Sequence, residues 1–400
     1  MACTPTWRPA GIGRSRCGGC GSPSRGKAQL RPLGVATVRD RVVQSAVRIV
    51  LQPILEADFL RCSYGFRPRR DAHQALQAMR DAVRSGRTWV VDADIDSFFD
   101  RLDFDLVLDC VRERVSDRRV IKLIRAFLQA GVMDGVTLSH PELGAPQGGP
   151  VSPLLANAVL HRLDRAWQQQ HHRLGVLVRY ADDLVVCCPT RQRADAALAA
   201  LDHLLDGLGL ALSPTKTQIV GLASGQHGCE FLGFHHRMVA SRRRPGVRYP
   251  ACWPSDAAMV RARSRIRELT GRNRRHVPTG LLVAEINQFL RGWRQYYQWG
   301  NSTRRFAALD AYVKERMALL LSKRHGRRGR GYGLKLYISS GNNLGLERAD
   351  GNHHIPADRA SGQMKDVGER LEGEPHEPFD GEGLETDMSD HGGAKLKPQR

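Results

Sequence analysis

The chain has 400 residues and sets 61 Lys+Arg against 41 Asp+Glu, a net charge of +20, with length enough for two or three domains and a substantial core. So basic a balance points first to nucleic acid as a partner, with an anionic membrane surface as the competing polyanion. No apolar run approaches the ~18 residues of a membrane span, the nine cysteines form no disulfide framework, and Cys17-Gly-Gly-Cys20 lacks the second pair that a zinc site needs. The paired Cys187-Cys188 lies in an apolar run, which favours reduced thiols and a cytoplasmic setting.

In chain order, residues 1–28 show no apolar periodicity and are expected to be disordered. Thr37 is placed to cap a helix whose apolar positions recur at helical spacing through Val47. Ser63-Tyr64-Gly65-Phe66-Arg67-Pro68 reads as a turn, and Asp71 opens a second helix through Ala82. A buried strand from Thr88 to Asp94 and helices near 104–115 and 117–130 follow. Pro146-Gln147-Gly148-Gly149-Pro150 is a loop leading into an apolar helix from Pro153 to about Trp167. Gly175 to Cys187 reads as strand, tight turn, strand, with Tyr180-Ala181-Asp182-Asp183 at the tip. Next come an Ala/Leu-rich helix over 191–207 and short strands around Gln218 to Gly221 and Glu230 to Phe234. A basic linker, 237–254, then precedes helices near 255–270, 279–298 and 303–324. From 346 to 400 the chain is polar and expected to be disordered.

Two acidic sites stand out. Adjacent carboxylates at a packed hairpin tip repel unless paired, and a divalent cation with oxygen ligands, Mg²⁺, is the usual remedy. Upstream, Asp92, Asp94 and Asp96 alternate along an apolar strand and so share one face of it. Carboxylates from two strands can hold two metal ions ~3.5–4 Å apart, an arrangement that serves nucleotidyl transfer but also nucleases and phosphatases.

The ordered series Arg31-Pro-Leu-Gly, Thr37-Val-Arg-Asp-Arg, Ser63-Tyr-Gly-Phe-Arg-Pro, Asp94-Ile-x-x-Phe-Phe-Asp100, Pro146-Gln-Gly-Gly, Ser152-Pro-Leu-Leu-Ala-Asn157, Arg179-Tyr-Ala-Asp-Asp183, Pro214-Thr-Lys-Thr217 and Phe231-Leu-Gly-Phe234 resembles the blocks of bacterial group II intron-encoded reverse transcriptase/maturases. The resemblance implies an α+β right-hand polymerase, with fingers and palm on an antiparallel sheet over 29–236 and a helical thumb/maturase domain over 255–345. It implies two Mg²⁺ ions held by Asp94, Asp182, Asp183 and the Ile95 carbonyl, and Lys216 near the leaving pyrophosphate as general acid. Phe99 would fill the space of a ribose 2′-hydroxyl. Gln147, Gly148, Tyr180, Arg31 and Arg39, with Arg67 as a further candidate, would contact the incoming nucleotide. Phe231, Leu232 and Gly233 would grip the primer, and Arg291 and Arg294 would touch RNA. The implied partners are intron RNA as template, a DNA primer or target, and dNTPs.

The expected function is RNA-directed DNA synthesis with intron RNA binding, splicing assistance and a role in intron mobility. A catalytically impaired splicing factor and, further off, a metal-dependent nuclease are the alternatives. Three departures from the family pattern stand out: the atypical lead-in before Leu30, Asp96 where a basic residue is more usual, and a C-terminus in which no cysteine follows Cys252 to build a Cys-paired His-Asn-His nuclease.

Overall fold

The computed structural model describes residues 12–14, 34–130, 132–134, 137–139, 149–339 and 343–349. Two short strands, β1 (Ile12–Arg14) and β2 (Gly34–Val35), precede α1 (Val38–Glu56). The Thr37 side chain accepts a hydrogen bond from the Asp40 backbone N–H and starts that helix as the cap pattern requires. Asp71 does the same for α2 (Ala72–Arg84), accepting from the Gln74 N–H. Then come β3 (Trp89–Asp94), α3 (Phe104–Arg112), α4 (Arg118–Leu128), β4 (Val132–Asp134) and β5 (Thr137–Ser139). The apolar helix α5 (Ser152–Ala166) leads to the hairpin β6 (Val176–Tyr180) and β7 (Asp183–Cys188), followed by α6 (Arg191–Asp206) and β8 (Gln218–Gly221). Beyond lie β9 (Gly228–Phe231), β10 (Phe234–Ala240), β11 (Arg248–Pro254), α7 (Asp256–Leu269), α8 (Thr279–Tyr297), α9 (Thr303–Arg324) and α10 (Gly331–Ser339).

The central sheet is antiparallel, in the order β6-β7-β3-β8. Its strands are apolar on both faces because both are covered. Val91, Ala93, Leu184 and Val186 face one cluster with residues of α3 to α6, while Val90, Val178, Val185 and Cys187 face a second cluster with residues of α2 and α7 to α9. Antiparallel pairing with helices on both faces gives an α+β architecture with a helical C-terminal region.

Four expectations need correction. The stretch read as a basic linker is two strands: β10 and β11 pair over seven positions, from Phe234 with Pro254 to Ala240 with Arg248, in a sheet with β9. Residues 12–14, inside the segment expected to be disordered, form β1, paired with β2. The chain stays ordered past 345, because Asn287 accepts from the Glu347 N–H and Asp310 from the Ala349 N–H, docking 346–349 on α8 and α9. Asp96 does not continue the alternation of β3: the strand ends at Asp94, Ser97 turns to φ +50°, and Asp96 pairs with Arg101 at 3.0 Å on the surface. Among the described residues no helix is long and apolar enough to cross a membrane.

Candidate active site

Residues opposed in an antiparallel pair share a face, and across the central sheet Tyr180 opposes Asp183, which opposes Asp94. On that same face the preceding rows are Val178–Val185–Asp92 and Val176–Cys187–Val90. The face therefore runs from apolar into acidic at one end of the strands. Opposed Cβ atoms stand about 4.5–5.5 Å apart, so carboxylates separated by 89 positions in sequence become neighbours. Asp182 lies between them and Tyr180 in a two-residue turn, partly exposed. Asp92, one row deeper, is buried and accepts from Gln218 at 3.2 Å.

The turn itself is held from beneath. Ala181 sits at φ +56°, a conformation that suits the first residue of a two-residue hairpin loop but penalises any residue other than glycine. Arg179, 0% exposed, donates to the Ala181 carbonyl at 3.0 Å, to Asn157 Oδ1 at 2.9 Å and to both carboxylate oxygens of buried Asp164, Nε at 2.8 Å. Asn157 in turn donates to the Gly65 carbonyl at 2.8 Å. A Cβ on Gly65 would come within 2.4 Å of the Ala181 nitrogen, so the Ser63–Phe66 turn packs directly against the acidic tip. The Tyr64 N–H and the Arg179 carbonyl bond at 2.8 Å to seal that contact. None of this was evident beforehand, since an arginine in so basic a chain reads as surface; the signal available was Asp164 on the apolar helix that faces it.

Lys216 is brought to the acids by a crossover. The Ser213 N–H donates to the Asp94 carbonyl at 2.8 Å, and the Lys216 ammonium lies 2.6 Å from Asp94 Oδ2 with both side chains about one-fifth exposed. Because the Asp94 carbonyl points to Ser213, the next carbonyl along extended backbone, that of Ile95, is directed to the opposite, hairpin edge. Phe99 follows in a short helical turn, partly buried and edge-on to Phe98 with ring centroids 5.2 Å apart.

The donor set at this end of the sheet is carboxylate and backbone carbonyl oxygen, with an ammonium already drawn against one carboxylate. Such hard, anionic ligands fit Mg²⁺. The described residues include no closed cage of three or more His, Cys, Asp or Glu, which Mg²⁺ does not require, since it keeps waters and takes substrate phosphates.

A second turn approaches the same edge from the C-terminal region. Leu232 and Gly233, at φ +49° and +77°, join β9 to β10 in a two-residue hairpin. Tyr296 donates to the Leu232 carbonyl at 2.9 Å, and a Cβ on Gly233 would meet the Tyr297 hydroxyl at 2.8 Å. Burial raises the Tyr296 phenol above its ordinary value, with the Tyr297 and Tyr180 phenols and the Asp183 charge adding to it. Burial likewise raises Tyr180, followed by the charges of Asp71 and Asp183. The Tyr296 hydrogen bond and the Tyr297 hydroxyl together fasten the Leu232–Gly233 turn to α8.

Other expected residues are placed differently. Phe231 is 2% exposed and packs in the core, which leaves the Leu232–Gly233 backbone as the accessible part of that motif. Arg67 is buried and donates to Glu56 and to the carbonyls of Phe59, Leu60 and Ser63, so it staples a turn and is not available to a nucleotide. Arg39 is exposed on the first turn of α1. On α8, Arg291 is exposed and lies 3.8 Å from Glu347, while Arg294 is partly buried. Arg31, Gln147 and Gly148 lie outside the described residues.

Comparison with known proteins follows the same division. Residues 22–236 match the family model "Reverse transcriptase (RNA-dependent DNA polymerase)", and residues 259–337 match "Group II intron, maturase-specific domain". Protein YkfC of Escherichia coli K12 is 31% identical over 258 residues, covering 56% of this chain and 66% of that protein. An uncharacterized 91 kDa protein in the cob intron of Schizosaccharomyces pombe is 29% identical, covering 71% of this chain and 43% of its own. The group II intron-encoded protein LtrA of Lactococcus lactis is 39% identical over 137 residues, 34% of this chain and 23% of that protein. The chain thus spans less than two thirds of the length of each of these relatives. It belongs to the reverse-transcriptase family, in the group II intron-encoded form whose polymerase region is followed by a maturase-specific domain.

Proposed function

We propose that this protein is an RNA-directed DNA polymerase of group II intron type that also binds its intron RNA, assists its splicing and serves its mobility. The observation that carries the reading is the register Tyr180–Asp183–Asp94 at one end of the central sheet, with Asp182 in the adjoining turn. Asp94, Asp182, Asp183 and the Ile95 carbonyl are the groups that would hold two Mg²⁺ ions. When bound, these ions lower the pKa of a primer 3′-hydroxyl and neutralise charge on the triphosphate.

The remaining roles belong to the chain's own residues. The Lys216 ammonium, held at Asp94, keeps that carboxylate oriented and stands ready to give a proton from Nζ to the departing pyrophosphate. The partly exposed ring of Phe99 excludes a 2′-hydroxyl. Tyr180, Gln147, Gly148, Arg31 and Arg39 position the nucleotide, the guanidinium groups through phosphate oxygens. The Leu232–Gly233 turn, steadied by Tyr296, aligns the primer end, and Arg291 and Arg294 contact RNA backbone.

Primer extension on an RNA template, comparing wild type with Asp182→Ala, tests the assignment. Synthesis by the wild type that the variant loses, with splicing assistance retained by both, is the expected result. Metal-dependent cleavage without extension would instead make the acids a nuclease site.

A further inference from the structure

Between the two matched regions lie residues 237–258, which neither family model covers. Most of this stretch is the β10–β11 hairpin. Its strands separate after the pair Ala240–Arg248, and residues 241–247 close the loop at the end of the sheet away from Leu232–Gly233. At ~3.3 Å per residue, the seven residues of β10 put the loop about 20 Å from that turn. From 231 to 255 there are five arginines and no acidic residue. Three of them, Arg242, Arg243 and Arg244, are consecutive and exposed on the loop and make no ion pair with the described residues.

The loop is nevertheless built. The Ser241 N–H donates to the Val247 carbonyl at 2.8 Å, the Arg244 N–H to Ser241 Oγ at 3.1 Å, and Gly246 at φ +82° makes the turn. At its root Arg248 donates to the Ala223 carbonyl and Arg237 to the Gly225 carbonyl, fixing the hairpin to the preceding segment. A rigid scaffold therefore presents three guanidinium groups that repel one another, a cost that a charge run with no partner does not recover. A solvated surface face usually intersperses acids; this one has none for 25 residues.

We propose that the β10–β11 loop is a docking site for the phosphate backbone of structured RNA, outside the polymerase cleft. Guanidinium forks match phosphate oxygens in pairs, and a narrow hairpin tip can reach the phosphate rows that border an A-form groove. The hairpin joins the polymerase region directly to the domain matched as maturase-specific, which favours RNA over DNA. A membrane surface fits less well, because interfacial binding needs a broad amphipathic apolar face and this end of the hairpin exposes only Val247 and Tyr249 among its large apolar side chains.

The inference rests on the nucleic-acid reading above but not on the paired carboxylates, and the test separates the two. The probe is a hairpin RNA with a blocked 3′ end, titrated at several salt concentrations. Three phosphate contacts contribute about 2.7 to the slope of log affinity against log salt, or about forty-fold in affinity between 50 and 200 mM. The triple variant Arg242→Ala/Arg243→Ala/Arg244→Ala should lose that part of the slope, and the corresponding triple Lys variant should keep it. Extension from a saturating primer–template should match wild type in both. An unchanged slope in the Ala variant overturns the proposal, as does loss of extension at saturation, which would put the loop in the cleft. Weakened binding to phosphatidylserine vesicles with RNA binding intact overturns it in favour of a membrane surface. If wild type fails to extend but the slope still drops, the polymerase reading fails and the docking site stands.

Discussion

Arg179 and Asp164 form a buried ion pair beneath the acidic turn, both side chains 0% exposed, and separating their structural from their positioning role is feasible. Asp164→Ala leaves a guanidinium buried without its carboxylate, which should cost about 3–5 kcal/mol of stability. The double variant Arg179→Met/Asp164→Leu removes both charges and fills the space, and should return to within about 1–2 kcal/mol of wild type. It does not restore the 3.0 Å bond to the Ala181 carbonyl, so the residue at φ +56° loses its charged anchor. A tip displaced by an ångström costs about a hundredfold in rate. Urea unfolding paired with single-turnover primer extension reads the two effects separately. Recovered stability with extension still about 10- to 100-fold slow is expected. A double variant that folds and extends like wild type would refute the positioning role and leave the network purely structural.

The same neighbourhood constrains Gly65, where a methyl group would fall 2.4 Å from the Ala181 nitrogen and 3.0 Å from the Tyr180 carbonyl carbon. Both are backbone, so Gly65→Ala should destabilise by about 1–3 kcal/mol in urea unfolding and slow extension by displacing the tip. A pH effect follows from His236, whose burial, with Arg80 and His235 adding to it, holds its pKa down at about 3 against an ordinary 6.5. The imidazole is neutral when folded and protonates when unfolded, so stability is full above pH 6.5. It should fall by about 1.4 kcal/mol per unit as pH drops toward 3. His236→Gln should flatten that part of a stability–pH curve.

Where local chemistry decided the structure, the residues were legible. Thr37 and Asp71 cap helices, the apolar runs either side of Tyr180–Asp183 make a hairpin, and the strand ending at Asp94 lies beside it. What escaped reading depends on partners remote in sequence. Arg67 and Arg179 look like surface charge until Glu56 and Asp164 arrive from other elements. The Arg237–Arg248 stretch carries prolines nearby, a run of arginines and a seven-residue loop, so it has no short-turn signal, yet pairing with β9 makes it a sheet. Asp96 differs in the opposite way: alternation put it with Asp94, but it lies past the last residue of the strand, at the step into the left-handed Ser97, where its side chain pairs with Arg101. For the incoming-nucleotide contacts, Arg31, Gln147 and Gly148 fall outside the described residues, whereas Tyr180, Arg39, Phe99 and Arg67 have described positions, Arg67 in a buried staple.

The central claim is that acids from two parts of the chain act together as ligands in nucleotidyl transfer. Asp94→Asn tests it most directly, because it keeps the side chain's shape while removing the charge opposite Asp183, the charge that also pairs with Lys216. Single-turnover extension across a Mg²⁺ titration should show a loss of about a thousandfold, worth about 4 kcal/mol of transition-state stabilisation, not restored by raising the metal. An Asp94→Asn protein that extends primers within about threefold of wild type at the same Mg²⁺ concentration would contradict the account.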